Sequence, residues 1–277
     1  MVRLANGAYS VHSLAHRETF HPVIGPVAEA EALYVRQLRL VARLSGHLGE
    51  FVIWDVGLGA AANALTVLRA TRSLACTLRL VSFDHTLAPL EFAMIHAAEL
   101  GYISEYADAA KQLIAHRRVA FTTGSQTVSW ELHLGDFPAL MAGPAAESLP
   151  RPHAILFDAF SPATNPAMWT QPLFANVYRQ LDPERPCALT TYSRSTMLRA
   201  TLLLAGFYAG LGHATGEKEQ TTIAANTLSL IDEPLDRKWL VRARRSTSAE
   251  PLWEPVYRQA RLSAATWDRL QAHLQFR

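Results

Sequence analysis

Four aspartates end short apolar runs of the sequence, and their positions suggest one shared site. Asp55 ends the run that begins at Phe51, and Asp84, Asp136 and Asp158 follow three later runs. In a parallel sheet covered by helices, ligands bind beyond the carboxyl ends of the strands. We therefore expect these four carboxylates to converge on one crevice, where they can bind hydroxyl or cationic groups.

A glycine-containing turn follows the first of these runs, between a predicted strand and an alanine-rich helix. Its sequence is Asp55-Val56-Gly57-Leu58-Gly59. The glycines let the backbone approach a ligand, and the helix N-terminus offers N–H donors. Ala62 replaces the third glycine of a dinucleotide fingerprint. The pattern instead suits S-adenosyl-L-methionine, whose cationic amino and sulfonium groups prefer a carboxylate, although an ordinary tight turn is the structural alternative.

The next two aspartates suit the nucleoside part of such a cofactor. Asp84 comes 25 residues after Gly59, at the end of the second predicted strand, where a carboxylate can accept both ribose hydroxyls. Asp136 can accept the adenine amino group while Phe137 packs on the ring. The structural alternatives are a helix N-cap for Asp84 and a simple turn for Asp136.

The loop after Asp158 carries the densest group of functional side chains. Pro162 and Pro166 stiffen it. We expect its polar and aromatic residues to lie beside the cofactor and to bind the substrate, and Tyr192 to line the substrate entrance; the loop residues concerned are Asp158, Phe160, Asn165 and Trp169. The structural alternative is that Phe160, Met168 and Trp169 simply cover the core. For Met168 this is the better interpretation.

The surrounding pattern predicts an α/β fold with a mostly parallel seven-stranded sheet. Its strands are predicted near 51–56, 78–83, 128–134, 154–157 and 187–191, with a terminal antiparallel pair at 207–211 and 221–225. Asn6-Gly7 predicts a hairpin, and a helix is expected from Pro26 to about Ser45. We divide the chain into a hairpin-and-helix extension at 1–48 and a main domain at 49–277.

Composition excludes several classes of protein. The chain has 277 residues, of which 49% are hydrophobic and 18% charged, so it is not disordered. It has no apolar run long enough to span a membrane and no secretory signal, and its two lone cysteines, Cys76 and Cys187, suit a reducing cytoplasm. No metal-ligand spacing occurs. The histidines, including His21, His85 and His133, show no convincing partner spacing.

The charge distribution gives little indication of a nucleic-acid partner. The net charge is only +2, from 26 basic and 24 acidic residues. Asp236–Arg277 is an exception, with nine Lys/Arg and four Asp/Glu. We interpret it as a solvated basic face or as a phosphate-contacting edge.

Several of these motifs resemble the MnmC-like methyltransferases, the methyltransferase half of the bacterial enzyme that makes 5-methylaminomethyl-2-thiouridine in tRNA. The similarity runs from about residue 10 to about 245, and its most specific part is 158–170. The matching segments are Glu18-Thr19-Phe20-His21-Pro22, Glu31, Tyr34-Val35, the loop from Asp55, the loop from Asp158, Thr191-Tyr192-Ser193, the segment from Gly216 to Thr222, and Arg237-Lys238-Trp239-Leu240.

The resemblance implies a Rossmann-like class I methyltransferase fold and S-adenosyl-L-methionine as the methyl donor. It places in the cofactor site Asp55, Gly57, Gly59, Asn63, Asp84, Asp136, Phe137 and Asp158. It makes Asp158 the acidic residue of the catalytic loop and Glu31 a substrate residue. Ala60-Ala61 departs from the family's Thr-Gly, which removes a hydroxyl. The family's FAD-dependent oxidase half is not expected in 277 residues.

The resulting hypothesis is N-methylation of the aminomethyl group on the wobble uridine of tRNA. Asp158 would accept the amine's proton or orient the neutral amine. Phe160 and Trp169 would stack on the base, and arginines near the C-terminus would contact phosphates. Three alternatives remain: a methyltransferase of the same fold acting on a small or peptide amine, a non-catalytic module that binds S-adenosyl-L-methionine or RNA, and an NAD oxidoreductase.

Overall fold

The computed structural model describes residues 1–215 and 219–277. The segment from Gly216 to Thr222, which resembles a late hairpin of the family, therefore lies partly outside the described residues. No helix in the described ranges has the length and apolar character needed to cross a membrane.

A twisted nine-stranded sheet forms the centre of the fold. Its spatial order is β13-β11-β12-β10-β9-β5-β6-β8-β7, and the five strands from β10 to β8 run parallel to one another. Two short antiparallel pairs, β1 with β2 and β3 with β4, lie outside it. The strands are β1 Val2–Arg3, β2 Tyr9–Ser10, β3 His12–Ser13, β4 Glu18–Thr19, β5 Glu50–Val56, β6 Thr77–Asp84, β7 Arg118–Thr123, β8 Gln126–Leu134, β9 Ala154–Phe157, β10 Ala188–Thr191, β11 Tyr208–Gly212, β12 Thr221–Ala225 and β13 Glu233–Pro234.

Helices cover both faces of this sheet. The α-helices are α1 Pro26–Ala30, α2 Leu40–Ser45, α3 Ala62–Thr71, α4 Ala88–Ile95, α5 Ala97–Leu100, α6 Ala107–His116, α7 Phe137–Ala142, α8 Gln171–Arg179, α9 Thr196–Ala205, α10 Arg237–Arg245 and α11 Ala264–Gln271. Short 3₁₀ turns occur at Ser104–Tyr106, Pro144–Ser148, Pro166–Trp169, Leu228–Leu230 and Leu274–Phe276. Strands β5, β9 and β10 are buried on both sides, which is why their sequences are nearly continuous apolar runs.

The predicted fold class is confirmed, and each of the seven predicted strands is present. Two edge strands were missed. Strand β7 pairs antiparallel with β8 through a turn at Gly124, and β13 adds a two-residue edge beside β11. Strand β7 alternates between more and less exposed positions, and β13 is wholly exposed. Neither strand therefore has the apolar run that marks the interior strands.

The helix expected from Pro26 to about Ser45 is interrupted. Helix α1 changes to π-helical geometry over Glu31–Arg36, and Arg39 adopts a left-handed conformation with φ 51° before α2 begins. Apolar spacing does not reveal such an interruption, since a π turn adds one residue to a single turn of helix.

The N- and C-terminal segments both pack into the folded body. Val11, Leu33 and Tyr34 belong to the same hydrophobic cluster as β5 and α3. At the other end, α10 and α11 bury Trp239 and Leu270 against α9 and β11. The basic C-terminal segment is therefore folded as two helices and an extended connection.

Candidate active site

A cavity of about 850 Å³ lies at the carboxyl ends of β5, β6, β8 and β9. Residues from the N-terminal segment close one side of it, from Ser10 to Pro22. Glu18 ties this segment to the loop after β9 by accepting hydrogen bonds from the backbone N–H and hydroxyl of Ser161 and from the hydroxyl of Thr164. We call residues 10–22 the strap.

The glycine turn between β5 and α3 shapes the floor of the cavity. Gly57 has φ +92°, and a Cβ placed on it would lie 2.7 Å from the carbonyl oxygen of Asp158. Gly59 has φ +53°, and its N–H donates to Oδ2 of Asp84 over 2.8 Å. Ala61, where the family has glycine, still adopts φ 60°. The turn thus keeps a left-handed conformation at all three positions.

Asp84 lines the cavity and organises the turn around it. Besides the bond from Gly59, its Oδ1 accepts the backbone N–H groups of His85 and Thr86 over 2.7 and 3.2 Å. It does not cap α4, because the N-cap position of that helix is Leu87. The hydrogen bond with Asp84 raises the pKa of the neighbouring His85.

Asp136 and Phe137 combine a structural role with a place in the cavity wall. Asp136 is exposed, and its carboxylate accepts the N–H of Ala139 at the start of α7. The ring of Phe137 is mostly buried and packs edge-on against Phe83. Both residues line the cavity, so their positions agree with a contact to a cofactor as well as with a helix cap.

Asp158 and Asn63 meet at the centre of the site. The Asn63 side-chain amide donates to Oδ2 of Asp158 over 2.7 Å, and both residues line the cavity. Asn63 lies in the first turn of α3, whereas Asp158 directly follows β9. The hydrogen bond therefore fixes the position of the carboxylate relative to the glycine turn.

Asp55, a predicted cofactor residue, is not among the residues that line the cavity. Its side chain is fully buried, and Oδ2 accepts the hydroxyl of Ser82 over 2.8 Å on the neighbouring strand. Oδ1 has no hydrogen-bond partner among residues 1–215 and 219–277. Burial raises the pKa of this carboxyl to about 7. Within the described part of the chain, Asp55 is a residue of the sheet beneath the site.

The aromatic residues of the 158–170 loop are arranged differently from the prediction. Trp169 is completely buried and donates its indole N–H to the carbonyl of Phe160 over 2.7 Å, so it braces the loop and cannot stack on a substrate in this conformation. Phe160 does line the cavity, but His16 stacks on one of its faces with ring centroids 4.1 Å apart. Asn165 lines the cavity, as does Tyr192, whose hydroxyl donates to the Ala159 carbonyl over 3.0 Å.

The predicted substrate residue Glu31 is not among the cavity-lining residues, whereas Glu29 is. Glu29 belongs to α1, is 4% exposed and faces His21 of the strap. The sequence interpretation did not consider Glu29, and it found no convincing partner spacing for His21. The only signal that pointed to His21 was its place in the Glu18–Pro22 segment, which the resemblance already included.

His21 lies between two carboxylates. Its Nε2 is 3.6 Å from Oδ2 of Asp158, and its Nδ1 is 4.0 Å from Oε2 of Glu29. The three side chains are 8%, 14% and 6% exposed, respectively. The backbone of His21 has φ 47°, a conformation that is unusual for a residue with a side chain.

These residues fit S-adenosyl-L-methionine. The cavity is of the size that small ligands occupy, and the backbone at Gly57 and Gly59 leaves no obstructing side chain. Asp84, Asp136 and Asp158 offer carboxylates to its hydroxyl and amino groups. In the described ranges, no group of three His, Cys, Asp or Glu side chains is placed to hold a metal ion.

Comparison with known proteins agrees with this fit. A family model described as S-adenosyl-L-methionine-dependent methyltransferase matches residues 101–227. The "tRNA 5-methylaminomethyl-2-thiouridine biosynthesis bifunctional protein MnmC" of Methylibium petroleiphilum is 29% identical over 247 residues, covering 85% of this chain and 35% of the relative. The protein of the same name from Ralstonia nicotianae is 27% identical over 250 residues, covering 87% of this chain and 35% of the relative. The chain thus spans about a third of the length of these relatives.

A solved structure shares the fold. The crystal structure of MnmC2 from Aquifex aeolicus superposes with a TM-score of 0.71 at 19% identity, covering 98% of this chain and 82% of that one. The chain is therefore a Rossmann-like, S-adenosyl-L-methionine-dependent methyltransferase related to MnmC.

Proposed function

We propose that this methyltransferase N-methylates a primary aliphatic amine, and that the amine is the aminomethyl group on the wobble uridine of a tRNA. The observation that carries the proposal is the charge of the cavity. Of the described residues that line it, five are carboxylic acids and Arg17 is the one Lys or Arg. Such a lining favours a cationic acceptor and disfavours a phosphate.

Asp158 is proposed to orient the acceptor. Its carboxylate lies in the cavity and is held by Asn63, so it can hydrogen-bond an ammonium or amine nitrogen at a fixed place. When bound, S-adenosyl-L-methionine supplies a methyl group on a positively charged sulfur. Asp84 is placed to hold the ribose hydroxyls and Asp136 with Phe137 the adenine. Fixing the reacting groups in this way can lower the activation free energy by roughly 7 kcal/mol in favourable cases.

Two features support an RNA acceptor. The names of the MnmC relatives refer to a tRNA nucleoside, and α10 carries five exposed basic side chains, namely Arg237, Lys238, Arg242, Arg244 and Arg245. Arg194, and Arg242 of α10, both lie close enough to Arg199, which is 5% exposed, for their charges to act on it. The pKa of Arg199 is lowered to about 10, mainly by burial and to a smaller extent by the positive charges of Arg194 and Arg242. In this proposal the RNA phosphates contact the exposed basic side chains of α10, while only the aminomethyl base enters the acidic cavity.

A free small amine is the second candidate, because residues of the strap cover one side of the acidic cavity. The deciding experiment offers the purified protein labelled S-adenosyl-L-methionine with three acceptors. These are a synthetic anticodon stem-loop carrying 5-aminomethyluridine, the same stem-loop with plain uridine, and short alkylamines. Methylation of the first alone supports the tRNA acceptor, methylation of alkylamines alone supports the small amine, and no methylation of any refutes the proposal.

An Asp158→Asn variant tests the proposed residue. The asparagine side chain has the size of the aspartate and keeps an oxygen that can accept the Asn63 hydrogen bond, but it carries no charge. Turnover should fall by about 100-fold or more, while calorimetry still detects cofactor binding. Full turnover with bound cofactor would show that Asp158 has another role.

A further inference from the structure

We propose that His21 takes the proton that the acceptor ammonium must lose, so that the strap supplies the general base of the site. This inference rests on the proposed amine acceptor. A primary aliphatic amine has a pKa near ~10 and is mostly protonated at neutral pH. Because the protonated nitrogen has no lone pair to offer, it must lose one proton, to solvent or to a base in the site, before a methyl group can be transferred.

The position of His21 suits this task. Its imidazole lines the cavity, and Nε2 lies 3.6 Å from the same Oδ2 of Asp158 that accepts the Asn63 amide. A nitrogen held by Asp158 would thus lie beside the ring. The distance is too long for a direct hydrogen bond, as is common at catalytic pairs before the substrate is bound.

Imidazole is also the better base of the two. The pKa of a free imidazole is about 2 to 3 units higher than the pKa of a free carboxylate. Moreover, the Asn63 side-chain amide already donates to Oδ2 of Asp158 and fixes the place of that carboxylate. Asp158 is accordingly suited to holding the ammonium by charge, and His21 to removing its proton.

Glu29 completes the arrangement on the opposite side of the ring. Its carboxylate faces Nδ1 at 4.0 Å and is 6% exposed. A carboxylate behind an imidazole stabilises the imidazolium that forms on protonation and orients the ring. Glu29 is thus a positioning residue, whereas His21 touches the substrate.

Other titratable groups interact with the carboxylates on either side of His21, but they do not compete with it as a base. Burial raises the pKa of Tyr34 and of Tyr192 well above the ordinary value, so both phenols stay neutral. Partial burial opposes ionisation of Glu18, but hydrogen bonds from Ser161 and Thr164 outweigh it and keep its pKa below the ordinary value. Asp55, whose pKa burial raises to about 7, lies outside the cavity lining.

The proposed step moves one proton. The N–H bond of the acceptor ammonium breaks, its electron pair stays on the nitrogen, and the proton binds Nε2 of His21. The neutral amine is then the nucleophile, and the imidazolium later releases the proton to solvent. No oxidant, reductant or metal is needed.

His21→Asn is the most informative variant. Asparagine tolerates the left-handed backbone that His21 adopts and keeps a polar side chain, but it does not titrate. His12→Asn is the matched control, because His12 lies in the strap and bonds Thr19 but does not line the cavity. Turnover of the 5-aminomethyluridine stem-loop and of alkylamines is measured from pH 6 to pH 10, with cofactor affinity measured by calorimetry.

We expect His21→Asn to lower kcat by about 100-fold to 10,000-fold at pH 7, with cofactor affinity unchanged. Its kcat should then rise about tenfold per pH unit, because the fraction of free amine grows by that factor. The His12→Asn protein should follow the wild-type profile. A His21→Asn protein with the wild-type profile, or one that loses the same factor at every pH, overturns the inference. An inactive wild-type protein would instead refute the proposed function, and the inference with it.

A second measurement does not depend on turnover. In the protein without cofactor, the histidine ring signals are followed by NMR as methylamine is added, and His21→Asn identifies the signal of His21. Binding of the methylammonium probe beside Asp158 should shift the His21 signal and leave that of His12 in place. An unchanged His21 signal at saturating methylamine would contradict the proposed contact.

Discussion

Gly57 and Asp158 approach so closely that a Cβ on Gly57 would lie 2.7 Å from the Asp158 carbonyl oxygen. The two residues belong to the loops after β5 and β9, which are adjacent parallel strands with Val56 opposite Phe157. The glycine turn and the Asp158 loop are therefore one unit, and a change in either moves the other.

Gly57→Ala should disrupt both stability and cofactor binding. The left-handed φ of +92° costs a non-glycine residue about 1–2 kcal/mol, and overpacking adds about 1–3 kcal/mol. We expect the free energy of unfolding to fall by at least about 2 kcal/mol in denaturant titrations, with cofactor binding weakened in calorimetry. Gly46→Ala is the control, because Gly46 has φ −105° and nothing within 4 Å of the added Cβ. Equal effects of the two substitutions would exclude the steric explanation.

The seven principal strands and the strand-end carboxylates could be predicted because both depend on local sequence. Apolar runs mark strands buried on two faces, and the residue that follows each run lies at the same edge of the sheet. Asp84, Asp136 and Asp158 follow this rule. Asp55 does not, because it lies within β5 and pairs with Ser82, so its side chain points into the sheet's packing.

The remaining site residues depend on tertiary structure that no short pattern encodes. His21 enters the cavity because the strap turns through a left-handed residue and is tied down by Glu18, 143 positions from its partner Ser161. Glu29, and not Glu31, lines the cavity on a helix that changes to π geometry at Glu31. Trp169 turns inward in a 3₁₀ turn, although its type and position equally suited an exposed platform.

Glu18→Gln should loosen the strap. Glu18 accepts the Ser161 backbone N–H over 3.2 Å and the hydroxyls of Ser161 and Thr164, and a neutral amide accepts these less strongly. We expect a loss of about 1–3 kcal/mol in stability and faster cleavage within residues 10–22 in limited proteolysis. Since the pKa of Glu18 is lowered on folding, the wild-type advantage should be present at neutral pH and disappear as the pH falls through the acid range. A strap equally protected in both proteins would refute this role.

His153 should make the protein less stable in mild acid. It is 3% exposed, its Nδ1 accepts the Val52 N–H over 2.8 Å, and burial lowers its pKa from 6.5 to about 3. Between these values the unfolded chain binds a proton that the folded chain does not, so stability falls as the pH decreases. From pH 7.5 to pH 5 the loss is about 2 kcal/mol. His153→Asn keeps an acceptor for Val52 but cannot titrate, so its unfolding free energy should lack this component. Parallel pH curves for the two proteins would show that His153 is not responsible.

Asp55 should have the opposite effect on stability. Burial raises its pKa from 3.8 to about 7, so the folded protein keeps the proton at pH values where the unfolded chain has lost it. The resulting stabilisation is complete below pH 3.8 and is lost as the pH rises to about 7. Asp55→Asn removes this titration while keeping the side-chain size and an acceptor for the Ser82 hydroxyl. Relative to the variant, wild-type protein should lose on the order of 2–3 kcal/mol between pH 5 and pH 8 in denaturant titrations. A difference between the two proteins that does not change over this range would mean that Asp55 stays ionised in the folded sheet.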